Sequence, residues 1–299
     1  MKTRLLFTDG KGKFVETDWD KQEPQDNEIT VKSIMTGVCR SDIDMMTGGF
    51  GPLPIHMSGH EGLGVVTQVG SRMCSANIGD IVATRGEPAY ADYYNVRMNE
   101  FVIVPEASPK YIIEPVACGI NVVHQAIREI AERSGPDKRL LIIGSGMLAW
   151  VAYNTLKLNH LEFTIDVVGS HNQDVWGWQL QKKPNATYDV IIDLGSGAEV
   201  FDSVIYNENA LIIMGAQKKV NTDFAGMLWK SVTMIFPSPR TPGFIECMRQ
   251  GVLWIKNGDI VVDKFWTRSY NRNTEWQQAF DDGVHRPVGY NRGYIQWDM

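Results

Sequence analysis

The sequence has few cysteines, no long apolar run and no excess of positive charge. Its four cysteines, at 39, 74, 118 and 247, are too scattered for a disulfide framework. No segment approaches the roughly 20 apolar residues that cross a bilayer, and the first residues, MKTRLLFTDGKGKF, contain too short an apolar core for a secretory signal. With 29 basic and 35 acidic residues the formal charge is −6, which excludes a polycationic nucleic-acid surface. We therefore expect a cytoplasmic protein that binds neither nucleic acid nor a membrane.

The first third of the chain has the pattern of a β-structure. The 299 residues, 43% of them hydrophobic, are enough for two hydrophobic cores. Segments 29–37, 62–70 and 80–84 are rich in β-branched residues and are bounded by Gly, Asn or Asp. Their spacing predicts an irregular all-β unit, such as a partly open barrel.

The pattern changes near residue 111. Apolar residues recur every three or four positions over 113–133, which predicts a helix, and 147–158 has the same period. Continuous apolar runs, typical of buried parallel strands, separate the helical and loop segments: RLLIIG (139–144), FTIDVVG (163–169), YDVIIDLG (188–195), ALIIMG (210–215) and VTMIFP (232–237). Repeated β-α-β units predict a doubly wound parallel sheet. The last 30 or so residues have the composition of short strands again.

A glycine-rich turn follows the first of these runs. The segment from Gly144 to Ala149 fits G-x-G-x-x-A, with a predicted strand before it and a predicted helix after it. In this motif the first Gly permits the tight turn and the second, Gly146, lets the backbone approach a pyrophosphate at the helix N-terminus. The cofactor-binding residues predicted here are Gly144, Ser145, Gly146, Met147 and Leu148. A glycine turn that binds no ligand is the alternative.

The residues after the second Rossmann strand bear on the choice of nucleotide. An acid that binds the NAD ribose is expected at the end of this strand, where the sequence has Gly169, Ser170 and His171. Without a carboxylate there, the 2′-phosphate of NADP(H) meets no negative charge that would repel it, and it could accept hydrogen bonds from Ser170 and His171. The sequence therefore favours NADP(H) over NAD(H).

Three donor side chains lie in glycine-flanked turns of the β-unit. Cys39 is in GVCRSD, and His60 and Glu61 are in SGHEGLG. Thiolate, imidazole and carboxylate are the ligand types of catalytic zinc, which needs three protein ligands and one open position. On spacing alone, a free cysteine and a loop histidine are more often structural or incidental.

These motifs carry a family resemblance over nearly the whole chain. GVCRSD, then GHEGLGVVTQVG, then GD at 79–80 resemble the catalytic domain of zinc-containing medium-chain dehydrogenases/reductases. IIEPVACGINVVHQA at 112–126 is similar to the segment by which these enzymes enter the nucleotide-binding domain, especially polyol and threonine dehydrogenase-like members. The resemblance implies an α/β fold, with a GroES-like β-barrel catalytic domain (1–114 and 262–299) split around a Rossmann domain (115–261).

The resemblance also implies roles for individual residues. Cys39 and His60 match the first two zinc ligands, and Glu61 matches an acid that can move onto the zinc. Glu114 matches the third ligand of members that carry Glu-Pro. Ser41 matches the hydroxyl that relays the alcohol proton, and Asp42 matches the carboxylate that orients the ligand histidine. Arg40 follows the ligand cysteine and could reach the cofactor phosphates.

The sequence departs from the family pattern at two places. Segment 81–105 has no cysteines, so we expect no structural zinc beside the catalytic one. Asp44 stands where a histidine often ends the proton relay.

The resemblance, together with the glycine turn, implies a zinc-dependent oxidoreductase that transfers hydride between NAD(P)(H) and an alcohol, a polyol or the corresponding carbonyl. The small-molecule alcohol or carbonyl is its expected partner. The alternatives are a zinc-free quinone or enoyl reductase of the same superfamily and a catalytically silent nucleotide-binding protein. The resemblance further implies a homodimer or homotetramer, formed partly by pairing of segment 232–237 across a two-fold axis.

Overall fold

The computed structural model describes residues 1–8, 10–49, 58–195, 198–216 and 221–298. The chain forms two compact units, of which the first comprises 1–115 with 248–299 and the second comprises 116–247. The domain limits expected from the sequence, after residues 114 and 261, stay a prediction.

The described residues form β-strands and α-helices along the whole chain. The strands are β1 (Lys2–Thr8), β2 (Phe14–Asp20), β3 (Glu28–Gly37), β4 (Gly62–Val69), β5 (Ile81–Thr84), β6 (Tyr93–Arg97), β7 (Phe101–Ile103), β8 (Arg139–Ile143), β9 (Thr164–Val168), β10 (Thr187–Asp193), β11 (Ile205–Met214), β12 (Thr233–Ile235), β13 (Trp266–Asn271) and β14 (Arg292–Gln296). The α-helices are α1 (Arg40–Met46), α2 (Glu114–His124), α3 (Ile127–Glu132), α4 (Met147–Leu158), α5 (Gln173–Trp176), α6 (Ala198–Asp202), α7 (Phe224–Trp229), α8 (Phe244–Asn257) and α9 (Trp276–His285). Two short 3₁₀ helices cover Pro109–Tyr111 and Asp263–Phe265.

The first unit is built around one mainly antiparallel sheet. Its strand order is β13-β14-β3-β4-β5-β7, and β6 also pairs with β3. The long strand β3 is at the centre of this arrangement, since it pairs with β4, β6 and β14. Hairpin β1-β2 joins the unit through a bridge between Leu5 and Ala91. The three predicted strands of this region are confirmed as β3, β4 and β5.

The second unit contains a parallel sheet of five strands in the order β12-β11-β10-β8-β9. Both faces of the sheet are buried: Leu140 and Ile142 of β8 belong to one hydrophobic core, and Leu141 and Ile143 belong to another. Double-sided burial explains why these strands are continuous apolar runs. The predicted α/β fold, with a β-unit and a separate Rossmann-type parallel sheet, is confirmed.

In the described ranges, the sheet of the second unit has one strand fewer than the usual six-stranded Rossmann sheet. The usual strand order 3-2-1-4-5-6 places a third strand beside the second one. Here β9 is that second strand, and its outer neighbour is reduced to a single parallel bridge between Val168 and Gln181. Two backbone hydrogen bonds make the bridge, from the Gly169 N–H to the Gln181 carbonyl (3.1 Å) and from the Gln181 N–H to the Val167 carbonyl (3.0 Å).

Two sequence expectations differ from the structure. The helix predicted over 113–133 is divided into α2 and α3, because the backbone leaves the helical region at Ala126 (φ −119°). Beside this break the Gln125 amide donates to the Ser238 carbonyl (2.9 Å). The last 30 residues contain helix α9 between β13 and β14, where only short strands were expected.

Candidate active site

Strand pairing brings the two predicted ligand loops together. Cys39 follows the end of β3, and His60 and Glu61 precede β4. Strands β3 and β4 are antiparallel neighbours, and the Gly37 N–H donates to the Glu61 carbonyl (2.9 Å). Residues separated by 21 positions in the sequence therefore lie side by side.

Helix α1 holds the cysteine in place. Cys39 is its N-cap residue, with an extended backbone (φ −89°, ψ 154°). The Asp42 carboxylate, in the first turn, accepts from the Cys39 N–H through Oδ2 (2.9 Å). The helix start thus fixes the direction of the thiol and also places Ser41 and Asp42 beside it.

The three candidate metal ligands, Cys39, His60 and Glu61, form one group, which we call the donor cluster. The Cys39 thiol, the His60 imidazole and the Glu61 carboxylate each offer a ligand atom, and these atoms lie within 4.8 Å of one another. Glu61 is completely buried, whereas Cys39 and His60 are partly accessible. A soft sulfur, an imidazole nitrogen and a carboxylate oxygen at this spacing form a donor set suited to zinc.

Two polar neighbours orient the imidazole. His60 Nδ1 lies 3.4 Å from Asp42 Oδ1, and His60 Nε2 lies 3.4 Å from Ser41 Oγ. Burial lowers the pKa of His60, but the charge of Asp42 and its hydrogen bond outweigh burial and raise this pKa well above its ordinary value. Burial, reinforced by the charge of Glu61, raises the pKa of the Cys39 thiol. A metal that binds here must therefore displace protons from the donors.

Arg292, which the sequence analysis missed, holds the buried carboxylate of Glu61. Its Nη2 lies 2.5 Å from both Glu61 Oε1 and Oε2, and its guanidinium lies 5.0 Å from the centroid of the Trp266 ring. Burial lowers the pKa of Arg292, but Glu61 and Cys39 raise it above the ordinary value overall. No local pattern could have revealed this pair, because its partners are 231 residues apart in sequence.

Other predicted residues lie outside the donor cluster. Glu114 is buried at the start of α2, and its charge helps to raise the pKa of His60. Within the described ranges, the donor cluster does not include Glu114. Asp44, at the position where the resemblance implied a relay histidine, pairs with Arg40 across a 3.1 Å contact between Oδ1 and Nε.

The predicted glycine turn has the expected local geometry. Gly144 follows β8 with φ +112°, a conformation that favours glycine, and Gly146 is the N-cap of α4. A Cβ on Gly146 would have no heavy atom within 4 Å, so the backbone there faces open space. Met147 and Leu148 form the first turn of α4, and no side chain caps this helix. The turn can therefore present backbone N–H groups to an anion.

The segment after β9 is fastened to this turn through Ser145. The Ser145 carbonyl accepts from Trp176 Nε1 and from Asn172 Nδ2, both at 3.0 Å. The Ser145 hydroxyl accepts from the His171 N–H (3.3 Å). A Cβ on Gly169 would lie 2.4 Å from both Cβ and Oγ of Ser145. The Ser170 and His171 side chains are exposed.

Comparisons with known proteins agree with this geometry. Residues 25–108, which include the donor cluster, match the alcohol dehydrogenase GroES-like domain. An alcohol dehydrogenase of Schizosaccharomyces pombe is 26% identical over 156 residues, which are 42% of this chain and 44% of that protein. An E. coli short chain alcohol dehydrogenase, solved with cofactor NADH, superposes with a TM-score of 0.80, at 16% identity and 99% coverage of both chains.

The chain is therefore similar to alcohol dehydrogenases in sequence over residues 25–108 and in fold over nearly its whole length.

A second solved relative shows the same fold with the other nucleotide. S. aureus TarJ, solved in complex with NADPH, gives a TM-score of 0.78 at 17% identity, with 100% of both chains covered. The alignment with the S. pombe enzyme spans less than half of that relative's length. In the part of the chain that the structure describes, no helix is long and apolar enough to span a bilayer.

Proposed function

We propose that this chain is an NAD(P)-linked oxidoreductase that binds one zinc ion at Cys39 and His60 and transfers hydride between the nicotinamide and an alcohol, a polyol or a carbonyl compound. The observation that carries the proposal is the donor cluster, in which thiol, imidazole and carboxylate atoms lie within 4.8 Å of one another. The matching GroES-like domain and the nucleotide-bound relatives support the same reaction class.

The residues present fit a zinc ion. Cys39 and His60 are the two ligands that the loops hold in place, and a carboxylate of Glu61 or Glu114 completes the set. Both Glu61 oxygens already contact Arg292, so Glu61 as a ligand would share its carboxylate between the zinc and this guanidinium. When bound, zinc supplies a Lewis acid that polarises a carbonyl or lowers the pKa of an alcohol.

The neighbours of the donors have separate tasks. Asp42 orients His60, because its Oδ1 faces Nδ1 and leaves Nε2 for the metal. Ser41 is the hydroxyl that would pass on the proton of the alcohol, since its Oγ lies beside His60 Nε2. Cys39, Ser41, His60 and Glu61 are the proposed catalytic set.

The nucleotide is proposed to bind at the glycine turn. The open space at Gly146 and the uncapped start of α4 support a pyrophosphate site made by Gly144, Ser145, Gly146, Met147 and Leu148. The absence of an acid at Gly169, together with the exposed side chains of Ser170 and His171, supports NADP(H) over NAD(H).

A metal and activity assay with paired cysteine variants tests the proposal. Protein purified without chelator should contain one zinc per chain and should oxidise NADPH in the presence of small aldehydes or ketones. Cys39→Ser should lose most of both properties, whereas Cys74→Ser, at an exposed cysteine, should keep them. No zinc, or two zinc ions per chain, would contradict the proposal.

The same assay separates the alternatives. A zinc-free reductase would oxidise NADPH equally well in wild type and Cys39→Ser, and a silent nucleotide-binding protein would bind NADPH without turnover. The choice between the two carboxylates needs Glu61→Gln and Glu114→Gln, because only loss of the true ligand should release zinc.

Self-assembly is proposed through the edge of the parallel sheet. Among the described strands, β12 pairs with β11 alone and leaves its other edge for a second copy. Phe236, directly after β12, is 69% exposed, as is expected of an apolar residue that a partner covers. The expected assembly is a homodimer or a homotetramer.

A further inference from the structure

Tyr90 is a buried tyrosine whose ring is fixed by neighbouring aromatic side chains. It lies between β5 and β6 and is fully buried. The Phe14 ring meets it edge-on at a centroid distance of 5.7 Å, and the Phe280 ring does so at 5.3 Å. Because the ring has little freedom to move, its hydroxyl group has a defined position.

That hydroxyl group reaches the loop that carries Cys39. Tyr90 Oη lies 2.7 Å from Asp42 Oδ2 and 3.0 Å from the Gly37 carbonyl oxygen. The hydroxyl has one proton to donate, and the carboxylate is the stronger acceptor of the two. Asp42 Oδ2 also accepts from the Cys39 N–H. Two hydrogen-bond donors, the Tyr90 hydroxyl and the Cys39 N–H, thus occupy Oδ2 of Asp42. The other oxygen, Oδ1, faces His60.

The same tyrosine also touches the loop that carries His60. A Cβ on Gly59, where φ is +76°, would lie 2.6 Å from Tyr90 Cγ, so the ring packs directly on that glycine. The Ala89 N–H donates to the Gly59 carbonyl (3.0 Å). Tyr90 is therefore in contact with both ligand loops, although the segment 85–92 contributes no atom to the donor cluster.

We propose that Tyr90 is a positioning residue, which sets the rotamer of Asp42 and thereby the tautomer and ring orientation of His60 in the metal site. The inference rests on the proposed function for the metal itself. With Oδ2 held by Tyr90 and Cys39, Oδ1 stays 3.4 Å from His60 Nδ1. In this position its charge favours the proton on Nδ1 and leaves the lone pair of Nε2 for the metal. Without the Tyr90 hydroxyl, Asp42 keeps the bond from Cys39 but loses the restraint that aims Oδ1.

Tyr90→Phe removes the hydroxyl and keeps the ring, and Tyr94→Phe is the matched control. Tyr94 is also fully buried, and its hydroxyl makes one 2.7 Å hydrogen bond, to Thr84 Oγ1. Zinc affinity is measured by competition with a chromogenic chelator. Loss of a residue that supports a metal ligand commonly weakens binding by about 10–100-fold, and we expect this range for Tyr90→Phe and wild-type affinity for Tyr94→Phe.

A second measurement does not depend on zinc. In metal-free protein, NMR should detect a slowly exchanging Nδ1 proton of His60, with the exposed His160 as the fast reference. This proton should exchange measurably faster in Tyr90→Phe than in the wild type, because the restraint on Asp42 Oδ1 is weaker. If Tyr90→Phe does not fold, slow exchange in the wild type is still required by the inference, and fast exchange overturns it.

The two measurements separate the failure of the inference from the failure of the proposed function. Wild-type protein that binds no zinc contradicts the proposed metal, and the proton exchange of His60 then decides the role of Tyr90. Unchanged zinc affinity and unchanged exchange in Tyr90→Phe overturn the inference. Equal losses in both tyrosine variants also overturn it, because they indicate a general effect of removing a buried hydroxyl.

Discussion

Replacement of Arg292 by methionine should destabilise the first unit far more than an ordinary ion-pair mutation. Met keeps much of the apolar stem but leaves the completely buried Glu61 without its cation. Removal of one partner from a buried pair commonly costs about 3–5 kcal/mol, because the remaining charge is desolvated and uncompensated. The Arg292 side chain is 12% exposed and Glu61 is 0% exposed, so little solvent screening reduces this value.

The chain contains a control of the same chemistry at the surface. Arg4 contacts Asp92 through Nε (3.0 Å) and Nη2 (3.2 Å), but these side chains are 42% and 23% exposed. Exposed pairs contribute about 0.2–1 kcal/mol, and Arg4 also donates to Asn273 Oδ1 (2.9 Å), a bond worth about 0.5–1.5 kcal/mol. Arg4→Met should therefore still cost clearly less than Arg292→Met. The difference between the two variants therefore measures the effect of burial on the pair.

The assay is urea unfolding of the metal-free protein, followed by circular dichroism, for Arg292→Met, Glu61→Gln and the double variant. Each single variant leaves one buried group without its charged partner, whereas the double variant leaves neither. We expect the double variant to be more stable than the sum of the single losses predicts, by about 2–4 kcal/mol, most of the cost of one uncompensated charge. A loss for Arg292→Met as small as that for Arg4→Met, or additive single losses, would refute the reasoning.

Three further outcomes are expected. Thiol titration at pH 8 should modify the exposed Cys74 and spare Cys247 until unfolding, because burial raises the pKa of Cys247 to about 11; rapid reaction of both would contradict this. Phe236→Lys should shift the assembly toward monomers in light scattering, and an unchanged mass would argue against pairing at β12. Gly169→Asp alone should mainly lower the stability of the protein, because its Cβ would lie 2.4 Å from Ser145. The double variant that also carries Ser145→Gly should move the NADPH/NADH affinity ratio about tenfold or more toward NADH. An unchanged ratio in the folded double variant would refute the assignment of this segment to the ribose.

Local patterns were sufficient for the parts of the fold that depend on neighbours in sequence. Strand β8, the glycine turn and helix α4 form one continuous segment, and each carries its own signal. Helix α9 was missed although Trp276, Ala279, Phe280 and Gly283 have helical spacing, because the rich Trp, Tyr, Arg and Asn content of the region favoured strands. At Gly283 the absence of a side chain allows a close approach to Ile43, which only the folded chain shows.

The candidate site likewise contains residues that local motifs predict and residues that only the folded chain reveals. Cys39 and His60 are predictable because each occupies a recognisable motif, and the pairing of β3 with β4 brings them together. Arg292 and Tyr90 have no such motif. Their contacts with Glu61 and Asp42 join residues that are 231 and 48 positions apart, and such pairings depend on the whole topology of the unit.

The position of Arg292 in the chain has a consequence for folding during synthesis. Residues 116–247 form a compact unit that is continuous in sequence, whereas the other unit needs both 1–115 and 248–299. At elongation rates of about 5–20 residues per second, the 231 residues between Glu61 and Arg292 take about 12–46 s to synthesise. During that time β3 lacks its neighbour β14, and Glu61 lacks the cation that makes its burial favourable. The unit of residues 116–247 can thus fold before the donor cluster exists in its final form, and binding of the proposed zinc would then be one of the last events in the maturation of the chain.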